Sequence, residues 1–285
     1  MKSCIIGKLL CLLLLCVSLS ACTVKTSYRF LDWLIAWRVD DYVSLTSTQQ
    51  PVFDQQLTQV LTWHQATQLP LYRDWLIDAK VLFQQPLLVD DLNRWLARSQ
   101  GFWSHLMMQL APASAQLLVL LNDQQVVGLI NELRVALADD REDAAETREG
   151  GRQEFIKRQS HITRKQFSHW LGDLSSLQEH WIDQWVDSRN DNQRLWLDSR
   201  EQWLNDFELV LSQRQQLGFE TAINRLFIDT QQTRTKAYQV ALDENTQSAL
   251  RLIIKLQASL DERQMRHFNK EIDVWIDVLG DLADQ

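Results

Sequence analysis

The stretch Leu174-Ser175-Ser176-Leu177-Gln178, running on through Trp181, Ile182 and Trp185, decides the fold. Serine followed three residues later by glutamine, just ahead of an apolar run, is a capping box. The hydroxyl accepts from an orphan amide of the first turn, and the glutamine reaches back to the N–H of the cap. The apolar positions behind it recur every three or four residues, which puts them on one helical face. The same form, Leu, then Ser, Thr, Asp or Asn, two residues, then Gln, recurs from Leu45, Leu61, Leu121, Leu211 and Leu260. The boxes Thr46–Gln49, Asn122–Gln125, Ser175–Gln178 and Asp261–Gln264 fall where helices are due to start. Those at Leu61 and Leu211 fall inside helical patterns. The stretches between copies do not align, so the motif is a recurrent capping device and not a solenoid repeat.

Composition agrees. Glycine numbers only 8 and proline only 4, at 51, 70, 86 and 112, with none after Pro112. Proline costs about 3 kcal/mol inside a helix and glycine about 1, so their scarcity permits long helices. The expectation is an all-α protein, an elongated antiparallel bundle of about eight to ten helices. A formal net charge of −8 argues against nucleic acid, whose binding relies on clustered Lys and Arg.

Helices are predicted from Tyr28 to Val43, from the Thr46 box through Pro51 to Trp63, from Leu69-Pro70 to Phe83, and from Val89 to Leu110. Pro112 and then Asn122 mark fresh starts. A charged stretch, 139–165, interrupted by Gly150-Gly151, reads as an exposed helix, a linker or a surface for lipid headgroups, and is the one plausible internal boundary. The division expected is residues 1–21 as a leader, 22–27 as a tether, 28–138 and 166–285 as helical parts, or 28–285 as one domain. Further on come a bend at 187–192, a helix end at Gly218, helices over 220–242 and 245–260, and a last helix from Asp261. Trp33 and Trp37, four apart, are expected to pack into the core, with the headgroup level of a membrane as the alternative.

The N-terminus carries Lys2 and Lys8, a leucine-dominated run over 9–17, and then Leu19-Ser20-Ala21-Cys22. That end of the run resembles a bacterial lipobox, in which small residues precede the cysteine that becomes the first mature residue. The apolar run is too short to span a bilayer comfortably. The resemblance implies a thioether-linked diacylglycerol and an acylated amino group on Cys22. Thr23 in place of an aspartate after the cysteine implies the outer membrane, facing the periplasm. An ordinary signal peptide with a chance cysteine, or an uncleaved signal anchor, is the alternative reading. Cleavage before Cys22 removes Cys4, Cys11 and Cys16 and leaves one thiol, so no intramolecular disulfide can form.

Two further resemblances follow from quoted residues. Leu45-Thr46-Ser47-Thr48-Gln49 and Leu61-Thr62-Trp63-His64-Gln65 match the LTxxQ motif and are similar to small helical periplasmic stress chaperones, where that motif serves the fold. The segments Leu31-Asp32-Trp33-Leu34, Asp40-Asp41-Tyr42-Val43-Ser44-Leu45, Trp63-His64 with Leu69-Pro70-Leu71-Tyr72, and Trp170-Leu171-Gly172 with Leu174-Ser175 resemble an uncharacterised proteobacterial lipoprotein family. That family has no assigned activity, so the resemblance implies an anchor and a helical fold only.

Chemistry is sparse. The histidines at 64, 105, 161, 169, 180 and 267 form no zinc spacing. No nucleophile elbow, P-loop or dinucleotide fingerprint occurs. His64 beside Trp63 reads either as a group titrating near neutrality or as a hydrogen-bonded structural residue. Asp40-Asp41 and Asp90-Asp91 are adjacent pairs whose members point different ways on a helix. Trp181, Trp185, Trp196 and Trp203 are the candidate binding surface, with core packing as the other reading. The expectation is a lipid-anchored, non-enzymatic binding, assembly or chaperone-like factor, with no metal and no cofactor beyond the lipid on Cys22. Its partners would be the membrane and another envelope protein. The alternative is a hydrolase or lyase acting on an envelope polymer.

Overall fold

The structure, a computed structural model, describes residues 21–229 and 234–284. Among them are the helices α1 (Ala21–Arg29), α2 (Leu31–Asp40), α3 (Gln50–Trp63), a π-helical segment (His64–Gln68), α4 (Leu69–Phe83), α5 (Val89–Leu118) and α6 (Asp123–Glu146). Then follow α7 (Gly151–Leu171), α8 (Ser176–Ser188), α9 (Gln193–Ser212), α10 (Phe219–Ile228), α11 (Lys236–Gln257) and α12 (Glu262–Ala283). The fold is all-α, with no strand among the described residues. Counting α3, the π segment and α4 as one run gives 11 helices, slightly more than expected.

Two compact units make up the chain. The first gathers residues up to Gln68, Gly101–Asp143 and Gln193–Lys236; the second gathers Leu69–Gln100, Ala144–Asn192 and the chain from Ala237. The second unit is built on Leu171, Ile182, Val186, Leu252, Leu256, Phe268 and Ile272, supplied by α7, α8, α11 and α12. Phe83 of α4 stacks on Phe268 with ring centroids 4.3 Å apart. Trp75 and Trp95 stack at 3.9 Å, and each indole N–H donates to the other residue's carbonyl, at 2.8 and 3.0 Å. In the first unit, α3 buries Phe53 and Val60, α5 buries Ala111 and Ala115, and α9 buries Leu204, Phe207 and Leu211.

Inside each unit two capping-box glutamines pair. In the second, Gln178 Oε1 accepts from Ser175 N–H at 2.9 Å and Gln264 Oε1 from Asp261 N–H at 3.3 Å. Their Nε2 groups donate to each other's Oε1 at 3.1 and 2.9 Å. The remaining amide hydrogens go to Ser259 Oγ at 2.9 Å and to the Asp173 carbonyl at 2.8 Å. In the first unit, Gln49 and Gln125 exchange Nε2–Oε1 bonds at 2.9 and 2.8 Å. Gln49 also donates to the Leu120 carbonyl at 2.7 Å, and Gln125 to that of Ser44 at 2.8 Å.

The boxes at Asn122, Ser175 and Asp261 are complete. The Thr46 box is half-made. Gln49 reaches back to Thr46 N–H at 2.9 Å, but the threonine hydroxyl lies 3.0 Å from that of Thr48, and α3 begins only at Gln50. The copies at Leu61 and Leu211 start no helix.

Five sequence expectations are corrected. Pro112 opens no helix; it lies inside α5, a helix that buries Leu92, Met107, Ala111, Ala115 and Leu118, so packing along its whole length overrides the local cost of the proline. Leu69-Pro70 likewise continues a helix: Pro70 follows directly on the π segment His64–Gln68, where the regular α-helical ladder is already interrupted. Gly218 does not close a helix but stands at the N-cap of α10 with φ 92, a left-handed conformation that glycine adopts freely. The break expected after Leu242 is absent, since α11 runs through it, and the 187–192 bend is a full interruption between α8 and α9. The charged stretch 139–165 folds as the end of α6, a turn, and most of α7.

His64 opens the π segment, and its Nδ1 lies 2.9 Å from the Tyr28 hydroxyl on α1. With the ring proton on Nε2, the phenol donates to Nδ1. Burial lowers the His64 pKa from its ordinary 6.5, so the folded chain holds a neutral imidazole where the unfolded chain takes up a proton. This contribution to stability is complete above the unfolded pKa and is lost as pH falls through the depressed folded value.

Two outcomes are expected. Gln125→Leu removes a cap and leaves the Gln49 amide with only its bonds to Leu120 and Thr46, costing roughly 1–3 kcal/mol in urea unfolding; a loss below about 0.5 kcal/mol would contradict this role. His64→Gln flattens the fall in melting temperature between about pH 7 and about pH 5; an unchanged slope would show that the imidazole is not held neutral.

Candidate functional site

Of the expected lipobox, Leu19 and Ser20 lie outside the described residues, as do residues 1–18, expected to form a leader. Ala21 and Cys22 fall in the first turn of α1. The 22–27 stretch expected as a tether is helical.

α2 departs most from expectation. Trp33 and Trp37 are not in the core: they are 61% and 56% exposed, and Phe30 ahead of them is 57% exposed. The two indoles stack at 6.3 Å with 9° between planes. Spacing alone put them on one face; it could not say whether another element covers that face. Leu34 and Ile35 are half-buried instead, and no residue of α2 is fully buried. Next along the chain, Arg38 bonds Asp41 at 2.5 Å and the Tyr42 hydroxyl at 2.8 Å, with its guanidinium over the Tyr42 ring.

The tryptophans of the candidate binding surface are each half-buried and engaged within their own unit. In the second unit Trp181 and Trp185 border the core; Lys255 Nζ lies 4.2 Å from the Trp181 ring centroid, and Trp185 Nε1 donates to Ser248 Oγ at 3.0 Å. In the first unit Arg200 covers Trp196, while Trp203 stacks on Phe207 and donates to the Leu226 carbonyl at 3.3 Å. The more exposed indoles, Trp33, Trp37 and Trp103, lie outside that set. Burial by a neighbouring helix is what separates the groups, and no motif announces it.

A cleft of about 500 Å³ lies between α7 and α8, lined by Ile156, Lys157, Ser160, Arg164, His180 and Asp183. Arg164 there pairs with Asp183 and Glu179, and Arg152 with Asp187 nearby. The carboxylate of Asp183 raises the Arg164 pKa through their hydrogen bond. In the first unit Arg141 lowers the Glu201 pKa through a hydrogen bond at 2.7 Å. These are ion pairs at helix surfaces. No cluster of three metal-binding side chains occurs among the described residues, and none of their helices is long and apolar enough to cross a membrane.

Comparison with known proteins adds one relation. No curated protein matches the chain. No solved structure matches it. A model for a family of unknown function, DUF6279, matches residues 41–239, which run from just after α2 into α11. Because that match spans most of the chain, the protein belongs to the DUF6279 family.

Proposed function

We propose that the protein is a lipoprotein held on the periplasmic face of the outer membrane through Cys22, acting as a non-enzymatic binding or assembly factor for another envelope protein. The observation that carries the reading is Leu19-Ser20-Ala21-Cys22 behind a short apolar run, at the head of a helical chain. Acyl chains on Cys22 stabilise membrane attachment by about 0.8 kcal/mol per buried methylene, so two or more hold a protein almost permanently. The absence of a spanning helix among the described residues is compatible with this attachment. Large apolar side chains on the surface, Trp103 and Leu217 among them, support a binding role; a holdase-like chaperone is the nearest variant.

Replacing Cys22 with Ala is expected to move the protein from the membrane fraction to the soluble periplasmic extract; full retention would overturn the anchor. A photoreactive residue at Trp103, which is exposed, is expected to crosslink one reproducible envelope protein in intact cells. A spread of unfolded clients would favour the chaperone variant, and no protein adduct would count against both.

A further inference from the structure

α2 is apolar along most of its length, with Leu31, Trp33, Leu34, Ile35, Ala36, Trp37 and Val39, yet buries none of its residues. Phe30, Trp33 and Trp37 each leave more than half their surface in water. A contiguous exposed aromatic face of this kind marks a surface that something else covers.

Position says what covers it. Trp33 and Trp37 follow Cys22 by eleven and fifteen residues. With Phe30 the one non-helical residue between two short helices, that separates them from it along the axis by about 20 and 25 Å at most. A chain joined to a bilayer at Cys22 therefore holds both indoles within reach of the lipid surface; this step rests on the anchor proposed above. Charge agrees. Between Thr23 and Asp41 the basic residues Lys25, Arg29 and Arg38 are matched by Asp32, Asp40 and Asp41, whereas the whole chain carries −8. The segment is thus electrically neutral within an acidic protein, and an anionic surface does not repel it. The rings agree as well, because tryptophan's apolar body and polar N–H suit the headgroup level. At 10 residues, α2 is too short to cross.

We infer that α2 lies on the bilayer, with Phe30, Trp33 and Trp37 in the phospholipid headgroup layer. Asp32 and Asp40, both exposed, limit how deeply the helix sinks. The lipid on Cys22 and the aromatic face then form a two-point contact, which fixes the orientation of the helices that follow instead of leaving them on a free swivel.

The test uses the lipidated full chain in phosphatidylcholine vesicles brominated on the acyl chains close to the carbonyl, where only nearby tryptophans are quenched. Wild-type emission is expected to be quenched. Trp33→Phe/Trp37→Phe, which keeps aromatic bulk, is expected to lose that quenching while still floating with the vesicles, and Trp103→Phe is expected to retain it. Flotation without wild-type quenching, or equal quenching in the double variant, overturns the inference and leaves the anchor standing. Failure of the wild-type chain to float overturns the anchor, and the inference with it. A dimer of Cys22→Ala in lipid-free solution that Trp33→Ser/Trp37→Ser converts to monomer assigns the face to a second copy and overturns the bilayer as its occupant.

Discussion

A primary amide can donate two hydrogen bonds and accept two, and Gln178 and Gln264 use all of that capacity on each other, on their own helix starts and on the turn that leads into the other's helix. Both are almost fully buried, at 1% and 4% exposure. A buried amide lacking partners costs about 1–3 kcal/mol, so the pair tolerates little displacement. Each glutamine also belongs to a capping box, so the bond that starts one helix is geometrically tied to the bond that starts the other. Gln49 and Gln125 repeat the arrangement in the first unit, on boxes 76 positions apart where the second unit has 86. Capping, usually a local matter of one helix end, here fixes which pairs of helix starts meet.

Much of the rest follows. With the starts of α8 and α12 held together, Ile182 and Ile272 enter one core. Lys80 on α4 meets Asp273 on α12 at 2.5 Å, and the turn before the Ser175 box passes through Gly172 at φ 76, where an added Cβ would come within 3.4 Å of the His267 ring. In the first unit, Arg214 beyond α9 donates to the Leu121 carbonyl at 2.8 Å and pairs with Asp123, reinforcing the start of α6 that Gln125 already holds.

The helical class and three complete boxes were legible because composition, periodicity and capping are local. The pairing of boxes was not, since the motif looks the same at Leu61 and Leu211, where it pairs no helix starts. Pro112 and Pro70 misled for a related reason: their local cost was read correctly, but packing along the whole of α5 and the π segment before Pro70 let the helices continue. Gly218 was recognised as a boundary with the wrong polarity, because a left-handed residue can precede a helix as well as follow one. Trp33 and Trp37 show the limit most plainly. Their shared face was readable from spacing, and its exposure depended on where α3 and its neighbours lie.

The proposed anchor at Cys22 and the exposed aromatic face of α2 concern one end of the chain, whereas the paired glutamines organise the helical units themselves. The claim that the glutamines act as pairs is tested most directly by a double-mutant cycle on Gln178→Leu and Gln264→Leu, read by urea unfolding. The account predicts that the double variant loses less than the sum of the singles, with a coupling of about 1–2 kcal/mol, because removing both amides strands neither. Additivity within about 0.3 kcal/mol would mean that each glutamine caps its own helix alone, and would contradict the account.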